Sequence, residues 1–322
     1  MPLHFLNWGR HSSNVNPSAR EALSSLQTNT SQVDTAAATS LTDIPRACPA
    51  CGDTTDHSLR FRTNGCDILQ CRGCGLGRTE TTEVDPIAYY TKDYFSGGHA
   101  DGYSDYLGAE PVLRREFARS VDFIRRFRPG GKLLELGCAY GFFLVEAARH
   151  FEVAGIELAA DAAAHGRRAG LNVLQGVADE ANLQHIGHVD VIVLFDVIEH
   201  LPDPRKTLAL CHRYLNPGGI VVITTGNFGS VVAKLTGVKW RLMTPPQHLW
   251  FFTQESVRRM SAGLGFSMEH VDHPWKIVPA SLIIFQVRRM LGLHSAGAAG
   301  VNRIGVPVNL FDAMRILLRK AP

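Results

Sequence analysis

Lys132-Leu133-Leu134-Glu135-Leu136-Gly137-Cys138-Ala139-Tyr140-Gly141 decides the fold. Five residues of strand character run into a glycine turn, and a segment of helix length follows Gly141. Missing side chains at Gly137 and Gly141 let the backbone approach a ligand closely, so a nucleotide-like ligand is expected there. A nicotinamide fingerprint, Gly-x-Gly-x-x-Gly, does not stand here, because Ala139 holds the second glycine's place and Phe142 the third's.

Outward from this stretch the pattern repeats. Strands are predicted at Lys132 to Leu136, Glu152 to Glu157, Asn172 to Gln175, Val189 to Phe195 and Gly219 to Thr225, each followed by a polar-apolar segment of helix length. Buried apolar strands alternating with helices imply right-handed crossovers and a parallel sheet covered on both faces. Before the first strand, a helical pattern from Leu113 carries Phe117, Val121, Ile124 and Phe127 and ends at Pro129-Gly130-Gly131. After the fifth, a helix from Thr253, its N-cap, to Leu264 leads through Gly265 to a strand near Ser267 to Val271, and a last strand is expected at Leu310 to Leu318. Pro279 to Leu293 reads as a basic amphipathic helix, which packs an insertion onto the core, lies on a membrane surface or grips an anionic diphosphate.

Composition bounds the rest. A chain of 322 residues, 45% hydrophobic and 20% charged, suits one large soluble domain with a small appendage. No stretch approaches the roughly 20 uncharged apolar residues of a membrane span, and the first residues lack an apolar signal core, so a cytoplasmic protein without stable membrane insertion is expected. The net charge of +3 is uneven, since from Ile277 onward six Arg and Lys residues face Asp312 alone. Residues 1–44 are rich in Ser, Thr, Asn and Ala and are expected to be disordered. The reading divides the remainder into a Cys-rich segment at 45–82, an aromatic and helical cap at 83–128, and a core at 129–322.

The Cys-rich segment holds Cys48-Pro49-Ala50-Cys51 and Cys71-Arg72-Gly73-Cys74, each pair followed by a glycine. Tight turns of this kind bring two thiolates each to one tetrahedral ion, which predicts a closed, structural zinc ribbon holding one Zn2+. Cys66, Cys138 and Cys211 are read as packing residues or spare thiols.

Glu135-Leu136-Gly137-Cys138-Ala139-Tyr140-Gly141 resembles E-x-G-x-G-x-G, the first motif of class I S-adenosylmethionine-dependent methyltransferases, with Ala139 as a departure. Glu157 lies 20 residues after Gly137 at a strand end, where a carboxylate can accept both ribose hydroxyl hydrogens. Gly176-Val177-Ala178-Asp179, the segment Val189 to Leu201 and Leu215-Asn216-Pro217-Gly218-Gly219 resemble later segments of the same family, in order. The resemblance implies a Rossmann-like, doubly wound, mostly parallel seven-stranded sheet. It also implies a cofactor held by Glu135 at the methionine amino group, by Gly137, Ala139 and Gly141 at the backbone, and by Asp179 near adenine. Asp196 would sit below the sulfonium end. A zinc ribbon followed by Tyr89-Tyr90 and Tyr94-Phe95 is similar to a bacterial group that methylates sugar nucleotides and other biosynthetic intermediates. There Tyr90 and its neighbours would fold over the cofactor, or would seal the ribbon against the core.

Methyl transfer from a sulfonium is an in-line displacement in which the protein aligns the acceptor and removes its proton. His200, just past the fourth strand, and His248, in Thr244-Pro245-Pro246-Gln247-His248, are the candidate catalytic residues. In sugar carbon-methyltransferases resembling this chain a Glu-His pair occupies the latter segment and the Glu serves as base. Gln247 stands here instead, and an amide cannot accept that proton, which favours an oxygen or nitrogen acceptor. The function expected is methylation of a small-molecule acceptor. Alternatives are an RNA methyltransferase with a nucleic-acid-binding ribbon, or a non-catalytic cofactor-binding scaffold. Nucleic acid is not expected, since Arg60, Arg62 and Arg72 of the ribbon are offset by Asp53, Asp56 and Asp67. Oligomeric state is not readable from the chain.

Overall fold

Alternation of apolar and polar residues around three left-handed glycine turns, at Gly52, Gly65 and Gly75, builds the N-terminal sheet. In the computed structural model, which describes residues 44–80, 105–290 and 301–322, β1 (Ile44–Ala47), β2 (Thr54–Thr63), β3 (Cys66–Cys71) and β4 (Gly77–Glu80) form an antiparallel meander. Residues 1–43, the aromatic residues at 89–103 including Tyr90, and Leu291 to Leu293 of the expected basic helix lie outside the described residues. The following helix, α1 (Glu110–Arg125), has Pro111 in its first turn, where a missing N–H costs nothing, and buries Val112, Leu113, Val121, Phe123 and Ile124.

The core then alternates as the sequence predicts: β5 (Lys132–Leu136), α2 (Phe142–Ala147), β6 (Glu152–Glu157), α3 (Ala160–Arg168), β7 (Asn172–Gln175), α4 (Glu180–Ile186), β8 (Val189–Phe195), a 3-10 turn (Ile198–His200), α5 (Pro204–Tyr214) and β9 (Leu215–Gly226). Next come α6 (Val231–Thr236), β10 (Trp250–Phe251), α7 (Gln254–Ala262), β11 (Phe266–Asp272), β12 (Lys276–Pro279), α8 (Ala280–Met290), β13 (Gly305–Val308) and β14 (Ala313–Lys320). Thr253 caps α7, its hydroxyl accepting from the Ser256 N–H while the Ser256 hydroxyl accepts from the Thr253 N–H.

The main sheet has the order β11-β14-β9-β8-β5-β6-β7. All its neighbours pair in parallel except β14, which runs against β9 and β11. Strand β8 shows why the strands read as unbroken apolar runs: Ile192 and Leu194 enter one core cluster while Val191 and Val193 enter the other, so both faces are covered. The last strand is shifted from the expected 310–318 because residues 309–312 turn rather than pair; the Asn309 side chain accepts from the Phe311 N–H.

The N-terminal sheet is not self-contained. Its fifth strand is β10, whose Trp250 and Phe251 pair with Arg78 and Gly77 of β4. Cys48, Ala50, Cys71, Cys74 and Leu76 pack in the same apolar cluster as Leu208, Val257 and Met260 of the core helices. The Cys-rich segment therefore shares both a sheet and a core with the segment that carries His248.

Candidate functional site

The carboxyl ends of β5, β6, β8 and β9 converge, as they must when parallel strands feed helices on both faces. At the end of β5, Gly137, Ala139 and Gly141 all take left-handed conformations, with φ of 71°, 45° and 83°. A Cβ on Gly137 would lie 2.7 Å from the Val197 side chain, so the turn closes only with glycine there. Ala139, in a place where the resembling family has glycine, keeps the glycine-like backbone and carries the strain of a positive φ.

Glu157 explains how that strain is held. One carboxylate oxygen accepts from the Ala139 N–H at 2.7 Å and the other from the Ala159 N–H at 2.7 Å. A carboxylate has about four lone-pair sites, so two remain for a ligand. Glu135, 3% exposed, lies beside it, and its Oε2 has no hydrogen-bond partner among the described residues. Burial, with the nearby Glu157 adding to it, raises the Glu135 carboxyl well above the ordinary carboxylate range. A cation seated between these two carboxylates would relieve both. Tyr106 stacks on Phe142 at 5.4 Å and on Tyr140 at 5.8 Å, which brings the end of the aromatic segment against this turn. Asp179, by contrast, is exposed and its carboxylate accepts from the Asn182 N–H, capping α4.

At the end of β8, Asp196 has φ 55° and is half exposed. One of its oxygens accepts from the Thr224 hydroxyl at 3.0 Å and the other pairs with the Lys276 ammonium at 2.8 Å. Crowding at the strand end opposes the charge, but the Lys276 ammonium and Thr224 hydroxyl outweigh it and hold the carboxyl below its ordinary range. His200 and His248 meet edge to face with ring centroids 4.7 Å apart, across 47 residues of chain. His200 Nδ1 donates to the Gln247 carbonyl at 3.0 Å and His248 Nδ1 to the Leu242 carbonyl at 2.8 Å. A carbonyl only accepts, so each Nδ1 carries the hydrogen and each neutral ring keeps Nε2 as its acceptor. Burial pushes His200 down to about 4 and His248 down to about 3, the latter helped by His200.

Glu199 is the residue that sequence reasoning missed. It is 4% exposed, its Oε2 is unpartnered among the described residues, and its carboxylate, a His200 nitrogen and a His248 nitrogen all lie within 4.8 Å of one another. Burial and the Asp196 charge push its carboxyl up to about 8, against the opposing Thr225 hydroxyl. Gln247 removes one carboxylate from this place and Glu199 supplies another from a different element. The three groups form an acid-base cluster, and two imidazoles with a carboxylate also suit a divalent cation.

The four predicted thiols come together. Cys48 and Cys74 sulfurs lie 3.6 Å apart, Cys51 and Cys71 sulfurs 3.8 Å, and all four within 4.8 Å. Zinc–sulfur bonds of about 2.3 Å in a tetrahedron place sulfurs about 3.8 Å apart, so the cage fits zinc. Gly52 and Gly75, with φ of 86° and 75°, donate their N–H groups to the Cys48 and Cys71 carbonyls at 2.9 Å and close the two matching turns.

Part of the chain is similar to known proteins. Residues 112–271 match a family model described as a methyltransferase domain. The chain is 34% identical over 127 residues to a ubiquinone biosynthesis O-methyltransferase of Cronobacter sakazakii, covering 37% of this chain and 52% of that protein. It is 29% identical over 157 residues to a protein of the same name in Psychrobacter arcticus, covering 44% of this chain and 61% of that one. The chain spans about half the length of the curated relatives it matches. A solved SAM-dependent methyltransferase from Archaeoglobus fulgidus superposes with a TM-score of 0.46 at 18% identity, over 73% of this chain and 100% of that one.

Proposed function

With residues 112–271 forming a methyltransferase domain, we propose that the protein transfers a methyl group from S-adenosylmethionine to an oxygen, nitrogen or carbon atom of a small acceptor, a sugar nucleotide or secondary-metabolite intermediate. One observation carries the reading: two buried carboxylates, one with an unpartnered oxygen, flank a left-handed glycine turn at a strand end. Such a cradle suits a ligand with an ammonium at one end and a ribose diol at the other. Among acceptor atoms, Gln247 favours oxygen or nitrogen over carbon, and the curated relatives, which are named O-methyltransferases, favour oxygen.

The bound cofactor supplies the methyl group and the driving force for its transfer. In this reading Glu135 accepts hydrogen bonds from the ammonium, Glu157 accepts from the ribose hydroxyls, and Asp196 lies at the reacting end. His248 or His200 accepts the acceptor's proton at Nε2, and the Asp196 carboxylate favours the imidazolium that results. A ring buried against its charged form is a weak base in the empty site. The neighbouring Asp196 charge favours proton uptake once an acceptor is aligned. The thiolate cage holds one structural zinc, as a closed four-sulfur site leaves no open position for chemistry.

The test is label transfer from methyl-tritiated S-adenosylmethionine to separate panels of phenols and catechols, sugar nucleotides, amines and bulk RNA. Label in a small acceptor supports the reading. Label in RNA alone, or tight cofactor binding with no transfer to any panel, replaces it with the RNA-directed or non-catalytic alternative.

A further inference from the structure

Lys276 brings a cation to the end of β8 from a distant part of the chain. Its ammonium stands 2.8 Å from one oxygen of Asp196, while the Thr224 hydroxyl donates to the other at 3.0 Å. Arg241, whose charge also reaches Asp196, is fastened to the Asp312 carboxylate by two hydrogen bonds of 2.9 Å. Among the described residues, Lys276 is therefore the cation in contact with Asp196.

The main chain on both sides of this contact is tied down. Asp196 donates its N–H to the Thr224 carbonyl at 3.0 Å. Lys276 opens β12 and pairs with Val308 of β13, and the next residue, Ile277, donates its N–H to the Glu116 carboxylate of α1 at 2.8 Å. With both backbones held, the contact opens by rotation of the Lys276 side chain, a compact charge on a flexible four-carbon stem. A second carboxylate lies within reach of that charge. Burial pushes the Glu116 carboxyl up, opposed by the Ile277 N–H and by the Arg119, Lys276 and Arg315 charges.

Under the proposed function, on which this inference rests, a sulfonium lies beside Asp196. One half-exposed carboxylate then faces two cations, which repel each other. Transfer removes one of the two positive charges. The electron pair of the broken sulfur-methyl bond stays on sulfur, a lone pair of the acceptor makes the new bond to carbon, and the acceptor's proton passes to the histidine pair. What remains is a neutral thioether. We propose that Lys276 sets the preference between the charged cofactor and its neutral product: its ammonium competes with the sulfonium for Asp196 and gives way to it, but keeps the carboxylate when the thioether is bound. Lys276 thereby weakens one ligand and spares the other, which is specificity by an introduced repulsion. A lysine that only braced β12 would act on both ligands alike.

Calorimetric titration of the zinc-loaded full chain with S-adenosylmethionine, S-adenosylhomocysteine and sinefungin reads this preference without turnover. Sinefungin carries an ammonium near the position of the sulfonium. Lys276→Met is expected to tighten S-adenosylmethionine and sinefungin about tenfold and to leave S-adenosylhomocysteine within about twofold, the scale of one unit charge at a partly exposed site. Lys276→Arg keeps the charge and should keep the wild-type ratio. Should Lys276→Met fail to fold, Lys276→Gln serves in its place. The proposal alone is overturned if wild type binds these ligands and the folded variant leaves the ratio unchanged, whether it binds them all as wild type does or weakens them alike. If wild type binds none of the three, the cofactor reading falls and the proposal falls with it.

Discussion

Glu157 has two duties that a substitution separates. It fastens the left-handed Ala139 through its backbone N–H and, in the proposed reading, keeps lone pairs for a diol. Glu157→Gln should therefore weaken S-adenosylmethionine binding by about 1.5–3 kcal/mol, the range for hydrogen bonds to a charged group, with a smaller fall in melting temperature. Calorimetric titration of both proteins reads the difference, and equal affinities would remove Glu157 from the site. Glu199 should show itself in the pH dependence of stability. Its folded carboxyl titrates near 8, above the ordinary value, so the native state holds a proton that the unfolded chain has lost. Stability should fall as pH rises from about 6.5 to 8, a window above that in which the two depressed histidines act in the opposite sense. Glu199→Gln should flatten that fall, measured by melts across the window, and an unchanged slope would contradict the assignment. Glu135, Gly137, Gly141 and Glu157 were legible in sequence because each is fixed by its place at a strand end. Glu199 was not, because its meaning depends on His248 arriving from 49 residues away. In sequence it reads only as the neighbour of His200.

At the scale of elements, the Cys-rich segment was legible as a metal knuckle but not as part of the core. Two Cys-x-x-Cys pairs with trailing glycines are a local pattern. The pairing of β4 with the two-residue β10 is a tertiary one that no period in the sequence announces. Strands β5 and β8 were legible for the opposite reason, since both faces are buried and nearly every residue contributes to the apolar run, whereas the edge strand β7 leaves Asn172 and Gln175 exposed. A consequence follows for metal loss. In the proposed reading folding about the cage depends on a bound ion, so metal analysis should find about one zinc per chain. Cys71→Ser should lower the melting temperature of the whole unit and disturb the His200–His248 contact, because β10 joins the cage to the His248 segment. Nitrogen-15 histidine spectra of the variant that match wild type would show that the two regions are uncoupled.

For the whole molecule, the described residues from Ile44 onward form one compact unit, with the glycine turn, the acid-base cluster and the thiolate cage packed around shared cores. A ligand that binds the folded unit alone should stabilise all of it together, by about 2.7 kcal/mol at a hundred times its dissociation constant. The melt should stay a single transition that moves upward with S-adenosylmethionine. The most direct measurement of the central claim is isothermal titration of the zinc-loaded full chain with S-adenosylmethionine and, separately, with NAD. The account predicts saturable binding of S-adenosylmethionine at one site per chain and none of NAD. No heat with S-adenosylmethionine, or binding of NAD in its place, would contradict it.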